Sequence, residues 1–277
     1  MSSSWCRSPL RYMGGKQRQA RAIAKMLPRD CSDLREPFFG GGSITLSMRQ
    51  LRPWIKCWGN DLYHPNFNFW NELRSDPCPL FDGASEVLRR VDAIEQGGVP
   101  RREAAKQVVP LLSQALFNGE YSVDVSEAQA EAIAYFVRSR VSYSGAGDCG
   151  GIGSAERFNL AVCDRLIPVS SLLQGVKLTN LDFSEVVSTP PTGDTVYVID
   201  PPYHLPVENS LNCPWLLTID DCPRSRDELA PYNTFSKSMF YGSSQTKTTE
   251  LWATNYPLPC QKYQQLELTR KPCPIKI

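Results

Sequence analysis

The chain has 277 residues, 42% of them hydrophobic and 21% charged, with a formal net charge of +1. That length allows one or two domains and a full core without disulfides or a structural metal, and the composition excludes a disordered chain, a coiled coil or a collagen-like rod. No run approaches the roughly 18 apolar residues of a membrane span, and the opening MSSSWCRSPLRYMGGK has no apolar core of the kind a secretory signal requires, so a cytoplasmic protein with no membrane partner is expected.

The first predicted element is a basic amphipathic helix over Gln17 to Leu27, stopped by Pro28. Leu34 to Phe38 is a short apolar strand ending in Gly40-Gly41-Gly42, after which Ser43 can cap a helix running through Arg52. Ile55 to Trp58 predicts a second strand, closed by Gly59-Asn60-Asp61. From about Asp76 to Asn159 the rhythm changes to helices around Ser85–Ile94, Arg102–Phe117 (with Pro110 out of place inside it) and Ser126–Arg140, followed by a loop rich in Gly and Ser from 142 to 153. This segment reads as a small helical insertion. Strands resume at Val176–Thr179, Thr195–Ile199 and Trp215–Ile219, and Ser238–Gly242 with Thr249–Tyr256 predicts a closing antiparallel pair. Strands alternating with helices on both sides of an insertion predict an open, mostly parallel α/β sheet covered on both faces.

The ten cysteines form no CxxC half-site, so zinc is not expected and reduced, mostly buried thiols are. Residues 1–30 carry seven basic side chains against Asp30 alone, and the tail from Pro257 has four against Glu267. Solvated basic faces are the plain explanation; an anionic partner such as nucleic acid is the sharper one.

Ligands of open α/β sheets bind beyond the carboxyl ends of the strands. Three motifs have that placement: EPFFGGGS, the Asn60-Asp61 pair and DPPY. The glycine run lets backbone approach a ligand closely, but lacks the spacing of a dinucleotide site and the Lys-Ser/Thr of a phosphate loop. Asp61 is placed to take ribose hydroxyls. In DPPY, two prolines remove two amide donors, so the Asp200 carboxylate and the Pro201 carbonyl can accept both protons of a planar amino group, while Tyr203 offers a face for stacking. The bland alternative is a rigid turn after a buried strand.

With PLRYMGGK, EPFFGGGS, ND, RVSYSG, TNLDF, VYVIDPPY, WLLTIDD and ELWATNY in this order, the chain resembles the Dam-type (D12 class) site-specific DNA adenine N6-methyltransferases from about Ser8 to Tyr256. The resemblance implies a Rossmann-like S-adenosylmethionine-dependent methyltransferase sheet made of residues 1–75 and 160–277, interrupted by a helical target-recognition domain at 76–159. It implies that Tyr12, Gly14, Gly15 and Lys16 line the methionine end of S-adenosyl-L-methionine, with Lys16 on its carboxylate. Phe38, Gly40 and Gly42 would pass beneath the cofactor, and Asp61 would take its ribose. Asp182 would bind its adenine amine, with Phe183 packed on the ring; a helix N-cap is the other role open to Asp182. Asp200, Pro201, Pro202 and Tyr203 would hold the target adenine, flipped out of double-stranded DNA. No metal is implied, and a monomer is the family expectation. Such enzymes serve in restriction–modification or stand alone, and a phage or prophage origin fits the resemblance.

The chain departs from the pattern in two places: the loop 143–153 lacks the Asn-Gly and Arg pattern of the GATC-reading members, so that specificity is not implied, and the link after DPPY is shortened. Only His204 to Pro214 separate the DPPY strand from the next, too short for a crossover helix. Either a stretched loop completes the sheet, or a wall of the target pocket is missing and the chain is an inactive DNA-binding remnant. RNA or a protein amide is a third substrate class, although glutamine methyltransferases usually carry Asn where Asp200 stands.

Overall fold

The computed structural model of the protein describes residues 5–145, 147, 150–153, 155–202, 211–241 and 246–258. Its centre is a seven-stranded sheet of β1 (Asp33–Glu36), β2 (Lys56–Asn60), β3 (Lys177–Thr179), β4 (Thr195–Ile199), β5 (Trp215–Asp220), β6 (Asn233–Tyr241) and β7 (Thr246–Thr254). The spatial order is β3-β2-β1-β4-β5-β7-β6, with the first five strands parallel and β7 antiparallel to both of its neighbours. The mostly parallel sheet is as expected. The closing pair is longer than predicted, because β6 begins at Asn233, where the polar sequence Asn-Thr-Phe-Ser-Lys hides an alternating strand. The short link after β4 does not end the sheet: β5 lies parallel beside β4 with Val198 opposite Leu216, although residues 203–210 of the link lie outside the described residues.

Alternation along the strands builds two cores. Val196, Val198 and Leu216 face the larger one, together with Leu34, Phe235 and Trp252. Tyr197, Trp215, Leu217, Ile219, Leu251 and Ala253 face the smaller one with Leu229, which lies on α11 (Pro223–Leu229), a helix that sequence patterning did not predict.

The remaining helices are α1 (Ala20–Met26), α2 (Ser43–Leu51), α3 (His64–Ser75), α4 (Pro77–Gln96), α5 (Arg101–Val108), α6 (Leu112–Phe117), α7 (Glu127–Val141), α8 (Leu160–Cys163), α9 (Leu166–Leu173) and α10 (Phe183–Ser188). The awkward Pro110 has a simple resolution. It separates α5 from α6, and the turn is completed by Leu111 at a φ of 57°. Helix α7 starts from a full capping box, Ser126 with Gln129. It is buried on most sides, packing against α3, α4 and α6. The apolar faces of α4 to α7 therefore belong to the same cluster as the sheet residues Leu34 and Val196. After α7, Ser142 pairs with Ile152 across the Gly-rich stretch, of which 146, 148 and 149 lie outside the described residues. Of the seven described cysteines, all free, only Cys31, Cys57 and Cys163 are buried, fewer than expected.

The tightest packing near the strand ends is at Gly59 in β2. A Cβ there would lie 2.3 Å from the Phe39 ring, which itself stands edge-on to Trp70 with centroids 5.4 Å apart. Gly59→Ala is expected to cost about 1–3 kcal/mol, the usual range for overpacking a core, read as a lower denaturant midpoint. Adding Phe39→Leu should recover part of that loss; two substitutions whose costs simply add would show that the ring is not the obstacle.

Candidate active site

The order of the strands reverses between β1 and β4, which opens a crevice at their carboxyl ends. A cavity of about 890 Å³ lies there. Its walls include Tyr12, Gly14, Gly15, Lys16, Phe38, Gly40, Gly42, Asp61, Phe183, Asp200, Pro201 and Pro202, so residues scattered over 190 positions of sequence converge on one space. Tyr203 lies outside the described residues.

The glycine loop follows β1 and is pinned by its own backbone: Phe39 N–H donates to Asn60 O at 2.7 Å and Gly42 N–H to Phe39 O at 2.8 Å. Gly42 then enters α2 with a φ of 63°, a conformation that favours glycine. Gly40 is needed for room as well, since a Cβ there would meet the Tyr12 ring at 3.0 Å. Tyr12 belongs to the turn before α1, closed by Gly15 N–H donating to Tyr12 O at 3.0 Å.

Asp61 stands one residue beyond β2. Its carboxylate accepts from Gly40 N–H at 2.8 Å, Tyr63 N–H at 3.0 Å and the Asn66 side-chain amide at 2.7 Å. Burial pushes the Asp61 carboxyl up from its ordinary value, and these three donors pull it back. About one of the four lone-pair positions of a carboxylate remains for a ligand. Asn60, fully buried beside it, donates to Pro37 O and Leu181 O and accepts from Thr179 Oγ1 and Leu181 N–H. It thereby ties the ends of β1, β2 and β3 together.

Asp182 does not line the cavity. It caps α10, accepting from Ser184 N–H at 2.9 Å and completing a capping box with Glu185. Its neighbour Phe183 does line the cavity and stacks on Phe38, centroids 5.4 Å apart. Of the two roles open to Asp182, the helix cap is the one its contacts display.

The electrostatic centre is Lys16. Its buried ammonium lies 2.7 Å from Asp200 Oδ1, 3.2 Å from Glu250 Oε1 and 3.0 Å from Gly14 O. With Asp200 Oδ2 also at 2.9 Å, its three N–H donors are shared among four acceptor oxygens, and a role on a cofactor carboxylate requires Nζ to give up one of these partners. Asp200 also accepts from Thr218 Oγ1 on β5. Burial raises the Asp200 carboxyl above its usual range, and the Lys16 ammonium opposes that rise. Glu250 sits on β7, where Trp252 Nε1 donates to its second oxygen at 3.2 Å. Sequence reasoning missed Thr218 and Glu250. Thr218 is a polar residue between Leu217 and Ile219, a signal that could have singled it out, whereas Glu250 follows the polar run Thr246 to Thr249 and carries no such signal.

At the back of the cavity Glu36 is 3% exposed and accepts from the backbone N–H and hydroxyl of Thr45. Burial pushes its carboxyl up to about 8.

A doubly wound sheet that brings an Asp-Pro-Pro turn against a glycine loop belongs to the Rossmann-like methyltransferase class. The match to known families is narrower: residues 12–258 fit the model of the D12 class N6 adenine-specific DNA methyltransferases. The chain belongs to that family, and its reaction is methylation of adenine N6 in DNA. No curated protein matches the chain. Among the described residues no helix is long and apolar enough to cross a membrane, and no group of three or more His, Cys, Asp or Glu is placed to hold a metal ion.

Glu36 gives a pH test. A folded-state carboxyl raised to about 8 keeps a proton that the unfolded chain releases near its ordinary value, about 4.3. Stability contributed by this group is therefore present at low pH and is lost as pH rises through that window. Glu36→Gln removes the titration. Its melting temperature relative to the parent should improve from pH 5 to pH 8; a difference independent of pH would show that Glu36 ionises normally.

Proposed function

We propose that the chain binds S-adenosyl-L-methionine in the 890 Å³ cavity and methylates an adenine flipped out of double-stranded DNA at a specific sequence. The observation that carries this reading is the meeting of the glycine loop, Asp61 and the Asp200-Pro201 turn around that one cavity. The cavity fits the cofactor: the Gly40 cradle admits close backbone approach, Asp61 retains an acceptor position for a ribose hydroxyl, and Phe38 and Phe183 offer aromatic faces for a purine. Tyr12, Gly14, Gly15 and the loop to Gly42 would flank its methionine end.

When bound, the cofactor supplies an electrophilic methyl on a sulfonium. The chain supplies position. The Asp200 carboxylate would accept a hydrogen bond from one amino N–H of the target base and the Pro201 carbonyl from the other, which aims the nitrogen lone pair at the methyl. By direct charge pairing Lys16 opposes the rise that burial imposes on Asp200 and so favours its ionised, accepting form. Pro202 and Tyr203 would frame the base. Asp182, capping the helix that begins with Phe183, would take the adenine amine through the oxygen the cap does not use.

The helices of residues 76–159 are the proposed target-recognition element. A basic surface adjoins them. Arg140, near the end of α7, donates to Arg157 O at 2.9 Å and to Pro9 O at 3.4 Å, while Arg11 donates to Ser142 O at 2.9 Å. Burial and the positive charges of Arg165, Arg11 and Arg157 push Arg140 down to about 10. None of these four arginines has a carboxylate partner among the described residues. Such an uncompensated group suits phosphate. The Arg157→Ala/Arg165→Ala pair should reduce the slope of log affinity against log salt by about 2, at roughly 0.9 per phosphate contact. An unchanged slope would place the phosphate contacts elsewhere.

The decisive experiment follows labelled methyl from S-adenosylmethionine into unmodified duplex DNA, with Asp200→Ala as control and the product base identified by mass. Label recovered as N6-methyladenine, and absent with the variant, establishes the reading. Cofactor and DNA binding without transfer would identify an inactive binding protein and point to the short link at 204–214.

A further inference from the structure

Asn66 lies in the first turn of α3 and is fully buried. Both ends of its amide are used. The Nδ2 group donates to Asp61 Oδ2 at 2.7 Å and to Gly40 O at 2.9 Å, while Oδ1 accepts from the Tyr135 hydroxyl at 3.1 Å. The reverse orientation would turn Oδ1 toward a carboxylate and a carbonyl, two acceptors with no proton to offer. The amide therefore has one acceptable direction, and Tyr135 occupies the end where only an acceptor belongs.

We infer that Asn66 and Tyr135 are positioning residues for Asp61: the Tyr135 hydroxyl orients the Asn66 amide, and the amide holds the Asp61 carboxylate and the Gly40 carbonyl in place at the cofactor subsite. The inference rests on the proposed role of Asp61 as a ligand of the cofactor ribose. Asp61 and Gly40 both line the cavity, whereas Asn66 and Tyr135 do not, so the pair acts through its neighbours. The effect is graded because each target keeps another donor: Gly40 N–H still reaches Asp61, and Trp70 Nε1 still reaches Gly40 O at 2.9 Å. What is lost is direction. A carboxylate released from Asn66 can swing while remaining tethered by backbone, and its last acceptor position then no longer faces the cavity consistently. Tyr135 sits on α7, within residues 76–159, so a side chain of the segment proposed to recognise DNA sets the geometry of a group proposed to hold the cofactor.

Calorimetric titration of the full chain with S-adenosylmethionine tests this directly. Tyr135→Phe removes one oxygen and keeps the ring against Phe69 and Tyr63. It should raise the cofactor Kd and KM by about three- to tenfold, as loss of one buried hydrogen bond allows, with kcat at saturating cofactor within about twofold of the parent. Asn66→Ala should raise Kd further, and adding Tyr135→Phe to it should change nothing more, since the two act in series. A Tyr135→Phe variant that melts earlier but binds the cofactor as tightly as the parent would overturn the inference and leave a merely structural hydrogen bond. Asp61→Ala separates the levels: if it weakens binding while the other variants do not, only this inference fails; if it leaves Kd unchanged, the role of Asp61 fails and takes the inference with it.

Discussion

An ammonium group almost sealed from water sits between two carboxylates, and three distant parts of the chain meet there. Lys16 comes from the turn before α1, Asp200 from the end of β4 and Glu250 from β7. Burying any one of these charges alone would be prohibitive, and breaking such a cluster by removing one partner typically costs on the order of 3–5 kcal/mol. The arrangement is tolerable only because the remaining positions are filled by Gly14 O, Thr218 Oγ1 and Trp252 Nε1. The cluster thus closes the sheet against the N-terminal turn and fixes Asp200 at the same time. It also sets the Lys16 charge against the rise that burial imposes on the Asp200 carboxyl.

Around that centre the strand ends are held by amides rather than by charges. Asn60 links three strand ends and Asn66 links the glycine loop to Asp61. An amide both donates and accepts, so it can bridge backbone carbonyls and carboxylates without adding net charge to a site that already carries several acids. Close approach does the rest: Gly40 beneath Tyr12 and Gly59 beneath Phe39 bring side chains against bare backbone.

The strand-end motifs were legible in the sequence because their chemistry is local. A glycine run after a short strand, an Asp after the next and an Asp-Pro-Pro turn after a third each announce an open carboxyl end, and all three reach the same cavity. Pro110 announced its own break. The partners of Lys16 were not legible, since Asp200 lies 184 residues away and only sheet closure brings it near. Helix α3 was hidden by the weak formers in His-Pro-Asn-Phe-Asn, and its stability comes from Phe69, Trp70 and Leu73 packing inward. Asp182 shows the limit of local reading: the same residue type serves as ligand or as cap, and while Ser184 and Glu185 make it a cap here, a cap that uses one oxygen does not decide whether the other meets a ligand.

The core that α4 to α7 share with the sheet bears on how recognition can diversify. A module with a private core can be cut out and replaced by another without disturbing its host. Here Ile133 on α7 reaches so close to Gly83 on α4 that a Cβ there would lie 2.4 Å away, and the same α7 packs on α3, which carries Asn66. Grafting a foreign 76–159 segment therefore exchanges packing around α3 along with whatever surface the segment presents. Changes in target preference are more accessible through substitutions on the outer faces of these helices and their connecting loops, which leave the common interior untouched.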